Sequence, residues 1–126
     1  MRTRAMLGLL ACLAAVPSAR AAEARPLVAV VFAQRFYQRA PQGEGRGAKT
    51  FLATVTAALD AAGVAHATLT DADVEAGKAA PYQALVIPYN TVWPEPLVAA
   101  AERYVRSGGK LVVCYTMPER LHCLLY

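Results

Sequence analysis

Pro26-Leu27-Val28-Ala29-Val30-Val31-Phe32 is an apolar run in which valine predominates and no polar residue interrupts. A run of this kind predicts a β-strand that is covered on both faces. Similar runs occur at Tyr82–Pro88 and Lys110–Tyr115, and a shorter strand is predicted over 64–70. Helix-like segments separate these strands. The alternation predicts an α/β domain built on a parallel sheet.

The segments between the strands predict two long helices. One spans 48–62 after a loop over 34–47, and Gly63 ends it with a residue that accepts a positive φ angle. Its apolar residues recur at helical spacing, namely Phe51, Leu52, Val55, Ala58, Leu59 and Ala62. The other spans 94–106, with prolines in its first turn and an inward face of Leu97, Val98, Ala101, Tyr104 and Val105. Short helical turns are predicted over 71–75 and from Pro118.

The N-terminus has the pattern of a secretory signal peptide over residues 1–21. Arginines precede an apolar run from Ala5 to Val16, and Ala19-Arg20-Ala21 forms a small-x-small cleavage site. The run is shorter than the roughly 20 residues that a membrane-spanning helix needs, although a retained anchor is an alternative. Leu9-Leu10-Ala11-Cys12 also resembles a lipobox, which would place a lipid on Cys12. We expect an exported protein, periplasmic or extracellular, with no membrane span.

Removal of the signal changes the charge and the cysteine count. The chain has 13 Lys+Arg and 9 Asp+Glu, and Arg2, Arg4 and Arg20 lie in the signal, so residues 22–126 carry 10 − 9 = +1. No basic stripe remains, which argues against nucleic-acid binding. Of the three cysteines, Cys114 and Cys123 remain. We expect Cys114 to be a free, buried thiol in a strand; a disulfide with Cys123 is the alternative.

Residues 22–126 form a single predicted domain near the lower end of comfortable size. Four strands are fewer than a doubly wound sheet usually has, and the apolar tail Leu121–Tyr126 looks unfinished. The sequence is therefore interpreted as the N-terminal part of a longer protein or a truncated reading frame, with a compact four-stranded domain as the alternative.

Three segments resemble a known family: Leu59–Val64, Tyr82–Asn90 and Tyr104–Val113. Together they look like a class I glutamine amidotransferase-like domain of the beta-galactosidase trimerisation type, which accompanies exported glycoside hydrolases. The resemblance covers about residues 27–121. It implies a flavodoxin-like three-layer parallel sheet, here truncated at about four strands. It also implies a non-catalytic accessory or assembly domain whose partner is a glycoside hydrolase barrel or another copy of itself.

Catalytic motifs are not found in the sequence. An amidotransferase nucleophile needs a glycine-flanked elbow, and Cys114 has no such glycines and lies two residues before the expected elbow near Thr116. The only serines, Ser18 and Ser107, lie in the signal and beside Gly108. We therefore expect no catalytic residue in this chain.

Motifs for phosphate, cofactors and metals fail on position or spacing. Gly43–Thr50 nearly matches a phosphate-binding P-loop, but Ala48 replaces the second glycine and the segment does not follow the first strand directly. It is interpreted as a flexible loop before a helix. His66 and His122 have no spacing that predicts a metal site. No cofactor is expected.

The carboxyl edge of the predicted sheet is where a ligand would bind. Amide, hydroxyl and aromatic side chains collect there, a combination suited to stacking on a sugar. The predicted ligand-binding residues are Gln34, Arg35, Tyr37, Tyr89, Asn90, Trp93, Tyr115 and Thr116. This gives the alternative function, a glycan or small-ligand binding module. A purely structural role, in which Tyr89 and Trp93 cover the start of a helix, is left open.

Overall fold

The computed structural model describes residues 26–124, so the predicted signal peptide and Cys12 lie outside the described residues. Four strands form one sheet: β1 (Val28–Phe32), β2 (His66–Thr70), β3 (Ala84–Ile87) and β4 (Lys110–Val113). All pairs are parallel, in the order β2-β1-β3-β4. This is the strand order of a flavodoxin-like sheet. The predicted α/β class is confirmed.

Five helices connect and cover the strands: α1 (Gln34–Arg39), α2 (Arg46–Ala61), α3 (Asp71–Glu75), α4 (Glu95–Arg106) and α5 (Glu119–His122). The expectation of a loop over 34–47 was wrong, because α1 occupies its first half. None of the helices within residues 26–124 is long and apolar enough to cross a membrane.

The main core lies on the face of the sheet that α3 and α4 cover. Alternate residues of the strands point into it and meet Leu97 and Tyr104 of α4. The strand residues in this cluster are Ala29, Val31, Leu69, Leu85 and Ile87. Leu121 of α5 extends the same layer through Val98 and Ala101. The inward face predicted for 94–106 is confirmed, with Val105 only partly buried.

The opposite face of the sheet is only partly covered. Val30 is fully buried there and α2 packs over β1, but Val86 is half-buried and Val112 is 48% exposed. Leu111 and Val113 pack into the main core, so Val112 points the other way. Cys114 was expected in the strand but lies at a bend directly after it, exposed, with its N–H still bonded to Ile87 O at 3.0 Å. We call Val86, Val112 and Cys114 the open sheet face.

This partial covering corrects two expectations. Cys114 is a free but exposed thiol rather than a buried one, and Cys123 is also free and exposed. The predicted apolar face of α2 is not buried as a whole either: only Ala48 is buried in this helix, and Phe51 is 46% exposed. The exposure of Cys114 and that of Phe51 have the same physical cause. On this face α2 packs over β1, and no other helix of residues 26–124 packs beside it over β3 and β4.

The chain reversals after the helices use glycines at positive φ. Gly63 follows α2 at φ +68° and Gly108 follows α4 at φ +95°, and the residue after each donates back into the last turn. The bonds are Val64 N to Leu59 O at 2.9 Å and Gly109 N to Tyr104 O at 3.0 Å. These are the hydrogen bonds of a Schellman motif. The helix end predicted at Gly63 is confirmed.

Candidate functional site

The carboxyl edge of the sheet holds an aromatic cluster of Phe36, Phe51, Tyr89 and Tyr115. Tyr89 lies at its centre, stacked on Phe51 with the ring centroids 4.9 Å apart and the planes at 8°. Tyr115 lies on it with a centroid distance of 4.4 Å, and Phe36 lies at 5.4 Å. Phe51 and Tyr115 are 46% and 55% exposed. The cluster therefore presents apolar ring surface to solvent beside the open sheet face.

The position of Tyr89 depends on the glycines of the segment that resembles a P-loop. A Cβ at Gly47 would lie 2.8 Å from Cε1 of Tyr89, and a Cβ at Gly45 would lie 2.6 Å from the backbone oxygen of Ala40. These glycines let α2 start close to the ring and to α1. Packing thus accounts for the glycines. Residues 41–45 form turns that lead into α2, so the segment precedes a helix as expected, and its flexibility stays a prediction.

Burial, followed by the neighbouring Tyr115 hydroxyl, raises the pKa of Tyr89 above its ordinary value. The phenol is therefore neutral at physiological pH. In this state it presents a ring surface and a hydroxyl group that can form hydrogen bonds.

Asn90, Trp93 and Thr116 form a hydrogen-bonded network next to this cluster. Asn90 is 1% exposed, and its side chain donates to Val92 O at 3.0 Å and accepts from Val92 N at 2.9 Å. Trp93 Nε1 donates to Thr116 O at 3.0 Å, and Thr116 Oγ1 donates to Asn90 O at 2.7 Å. These polar groups connect the loops after β3 and β4. Their contacts within the protein are those of a structural role.

Arg35 belongs to a separate ion-pair group with Asp71 and Glu75. Its guanidinium contacts both Glu75 oxygens, with Nη2 at 2.8 Å from Oε2, and its backbone N–H donates to Asp71 Oδ2 at 3.2 Å. Asp71 is 1% exposed. The Arg35 bond lowers the pKa of Glu75, and the Glu75 bond raises the pKa of Arg35. Arg35 is thereby directed away from the aromatic cluster and toward α3.

Gln34 and Tyr37 are half-buried residues of α1. The Tyr37 ring lies 5.7 Å from Phe32 between centroids, and Lys49 Nζ lies 4.2 Å from the centre of its ring. That distance is within the range of a cation–π contact. Lys49 is thus a second cation at the carboxyl edge of the sheet, where Arg35 was the only cation among the predicted ligand-binding residues.

The structure separates the predicted site residues into groups. Tyr89 and Tyr115 meet in the aromatic cluster, while Asn90, Trp93 and Thr116 form the adjoining network. Arg35 and Tyr37 face other partners. Sequence reasoning missed Phe51, because its helical spacing indicated burial. The sequence did contain a sign that Phe51 belongs to this cluster. Phe51 lies one helical turn after Gly47 and therefore on the same side of α2, and Gly47 is the residue that lies against Tyr89.

Catalytic and metal arrangements are not seen in the described part of the chain. Ser107 Oγ donates to Arg103 O at 2.7 Å. His66 Nε2 lies 2.9 Å from Asp60 Oδ1, and His122 Nε2 lies 3.2 Å from Met117 O. Neither histidine bonds a thiol or hydroxyl there. No group of three or more His, Cys, Asp or Glu side chains among these residues could hold a metal ion.

Comparisons with known proteins identify no relative. No family model matches the chain. No curated protein and no solved structure matches it either.

Proposed function

We propose that this chain is a non-catalytic, amidotransferase-like accessory domain of an exported carbohydrate-active protein, and that it serves assembly. The observation that carries the proposal is the open sheet face beside the aromatic cluster. Val112, Phe51 and Tyr115 are each about half exposed, although the first lies in a strand and the second in a helix. Neighbouring apolar groups exposed on regular elements are typical of a surface that another polypeptide covers.

The surroundings of Cys114 support the non-catalytic part, since no nucleophilic arrangement is seen among residues 26–124. Cys114 lies one residue after β4 and is exposed. A sharp strand-to-helix elbow does not follow it, since α5 begins only at Glu119, after Pro118. The purified chain is expected to hydrolyse neither chromogenic glycosides nor glutamine. Turnover that Cys114→Ala abolishes would overturn this part.

The two exposed cysteines allow a matched test of the assembly surface. Cys114 lies on the open sheet face, whereas Cys123 ends α5 on the other side of the sheet. We expect the purified chain to self-associate in sedimentation velocity, with an associated fraction that rises with protein concentration, because association follows mass action. A bulky maleimide on Cys114 of Cys123→Ser should abolish association, and the same label on Cys123 of Cys114→Ser should not. A monomer at every concentration, or equal effects of the two labels, would contradict assembly through this face.

Glycan binding is a second candidate, favoured by the exposed rings of Phe51 and Tyr115. Aromatic ring faces next to a cation and hydroxyl groups suit a sugar, and Lys49 and Tyr37 lie at the same edge. Calorimetry with cello-, xylo- and galacto-oligosaccharides should show heat that Phe51→Ala and Tyr115→Ala remove. Leu27→Ala, which shortens another exposed apolar side chain, is the control. No heat with any of these sugars would reject this candidate.

Export is part of the proposal and concerns residues outside the described range. N-terminal sequencing of the protein recovered from the periplasm or medium should begin at Ala22. A mature chain that begins with a lipid-modified Cys12 would support the lipobox interpretation, and an N-terminus at Met1 would contradict cleavage.

A further inference from the structure

The opposite end of the sheet, at the amino ends of β3 and β4, holds a cavity of about 460 Å³. It lies between the loop after α3 and the C-terminal turn of α4. Val74, Ala100 and Tyr104 form its apolar floor, and Arg103 and Lys110 lie at its rim. A water molecule takes about 30 Å³ of liquid volume, so the cavity is in the range that holds a small organic ligand.

The walls of the cavity are fixed by internal hydrogen bonds. Tyr104 Oη donates to Tyr82 O at 2.9 Å and thereby joins α4 to the loop after α3. Gly77 at φ +81° and Gly108 at φ +95° reverse the chain at the two helix ends. The backbone bonds of Lys78 N to Asp73 O and Gly109 N to Tyr104 O, both 3.0 Å, close these turns. A ligand would therefore meet a largely preformed pocket.

The charge of the lining is positive. Arg103 and Lys110 line the cavity, and no Asp or Glu does. Neither cation takes part in an ion pair within residues 26–124. The C-terminal ends of α3 and α4 also lie near the cavity, but the partial negative charge of a helix end is at most about half an elementary charge, so the two full positive charges outweigh it. Nearby carboxylates are neutralised by other cations: Asp73 by Lys78, and Glu102 by Arg106 and Arg120.

We propose that this cavity binds a small amphipathic carboxylate, of the arylalkanoic acid class. The apolar part packs on Val74, Ala100 and Tyr104, and the carboxylate bonds Arg103 and Lys110. Gln83 and Ser107 also line the cavity. The apolar floor and the two cations without an ion-pair partner nevertheless match a ligand with one apolar and one anionic end better than a neutral sugar. The site is independent of the proposed assembly function, because it lies at the opposite end of the sheet.

The test uses the purified full chain with 3-phenylpropionate and its neutral analogue 3-phenylpropanamide. Titration followed by amide NMR should give a Kd near or below about 1 mM for the acid, with shifts at Gly77 and Gly108. The amide should bind about fivefold more weakly, or more weakly still, because it loses its charge contacts with two exposed cations, each worth up to about fivefold. Equal binding of acid and amide, no binding of the acid, or shifts confined to the aromatic cluster would each overturn the proposal.

Variants separate the charge contacts from the cavity itself. Arg103→Gln and Lys110→Gln should each weaken binding of the acid by about two- to fivefold and leave the amide unchanged. Ala80→Trp, which places a large ring on the exposed rim, should weaken both ligands. Arg39→Gln removes a cation from α1 at the other end of the sheet and should change neither; if it weakens the acid as much as Arg103→Gln does, the attraction is general and the site is disproved.

Discussion

The indole nitrogen of Trp93 lies 3.0 Å from the backbone oxygen of Thr116 and donates the bond that joins the loop after β3 to the loop after β4. Thr116 Oγ1 returns a bond to Asn90 O at 2.7 Å. The two loops are therefore fixed to each other by groups that a ligand would otherwise use. At the carboxyl edge, residues whose polar groups bond within the protein therefore have a structural role. The rings of Phe51 and Tyr115 are exposed there and can contact another molecule.

Trp93→Phe tests the indole bond while it retains an aromatic ring. We expect the free energy of unfolding to fall by about 1–2 kcal/mol, because Thr116 O loses its donor. Urea unfolding measures the change. In a double-mutant cycle with Thr116→Val the two losses should not add. Additive losses would mean that the loops are held independently.

Asn90→Ala removes the side chain that organises the turn after β3. Both polar groups of Val92 lose their partner, and Asn90 is buried, so we expect a loss of about 2–3 kcal/mol in urea unfolding. Thr91→Ala, at the exposed next position, is the control and should stay within about 0.5 kcal/mol. Similar small effects of both variants would refute the structural role of Asn90.

Gly109→Ala tests the close approach of Tyr104. A Cβ at position 109 would lie 2.4 Å from Cζ of the Tyr104 ring, so the ring would have to move and its bond to Tyr82 O would be lost. We expect destabilisation by about 1–3 kcal/mol. At Gly43 the nearest atom would lie at an ordinary 3.7 Å, so Gly43→Ala should be tolerated. Equal melting temperatures for both variants would contradict this packing.

The stability of the protein should fall in acid because of Asp73. Its bond to Lys78, followed by the backbone N–H of Thr70, lowers its pKa to about 2 from the ordinary 3.8. A carboxylate whose folded pKa is depressed stabilises the protein above its unfolded pKa, and this contribution is lost as the pH falls toward the folded pKa. The pKa values of Glu75 and Glu102 are lowered too, by Arg35 and Arg106 respectively.

Thermal unfolding between about pH 5 and pH 2 measures this dependence. Asp73→Asn should show a smaller decrease in melting temperature than the wild type. Glu119→Gln is the control, because Glu119 is exposed and forms no ion pair in the described range. Parallel curves for wild type and Asp73→Asn would contradict the assigned shift.

Both described cysteines should react with iodoacetamide in the folded protein. Cys114 and Cys123 are exposed and free, so peptide mapping after native labelling should find each modified at a rate close to that of the unfolded chain. Protection of Cys114 alone, at concentrations where the chain associates, would point to burial of the open sheet face. A disulfide between the two would contradict the structure.

Local sequence patterns were sufficient for most of the secondary structure. The valine-rich run of β1 and the glycines after α2 and α4 act within a few residues, so their effects are visible in the sequence. The helix α1 was missed because Gln34–Arg39 is too short and polar to show a clear apolar period. Cys114 was placed in the core because strand residues were expected to be covered on both faces, which depends on helices that are distant in sequence.

The sequence by itself determined the α/β class and its parallel strands, because apolar period and helix-ending glycines are local properties. Only the tertiary structure decided which residues at the carboxyl edge of the sheet are free to contact a ligand or partner. It used the polar groups of Asn90, Trp93 and Thr116 for contacts between loops, and it left Phe51 and Tyr115 exposed. It also formed the cavity near Arg103 from segments that are far apart in the chain. The exposure of a side chain and the formation of a cavity depend on which elements lie next to each other. Packing across the sheet determines those neighbours, and local sequence spacing does not.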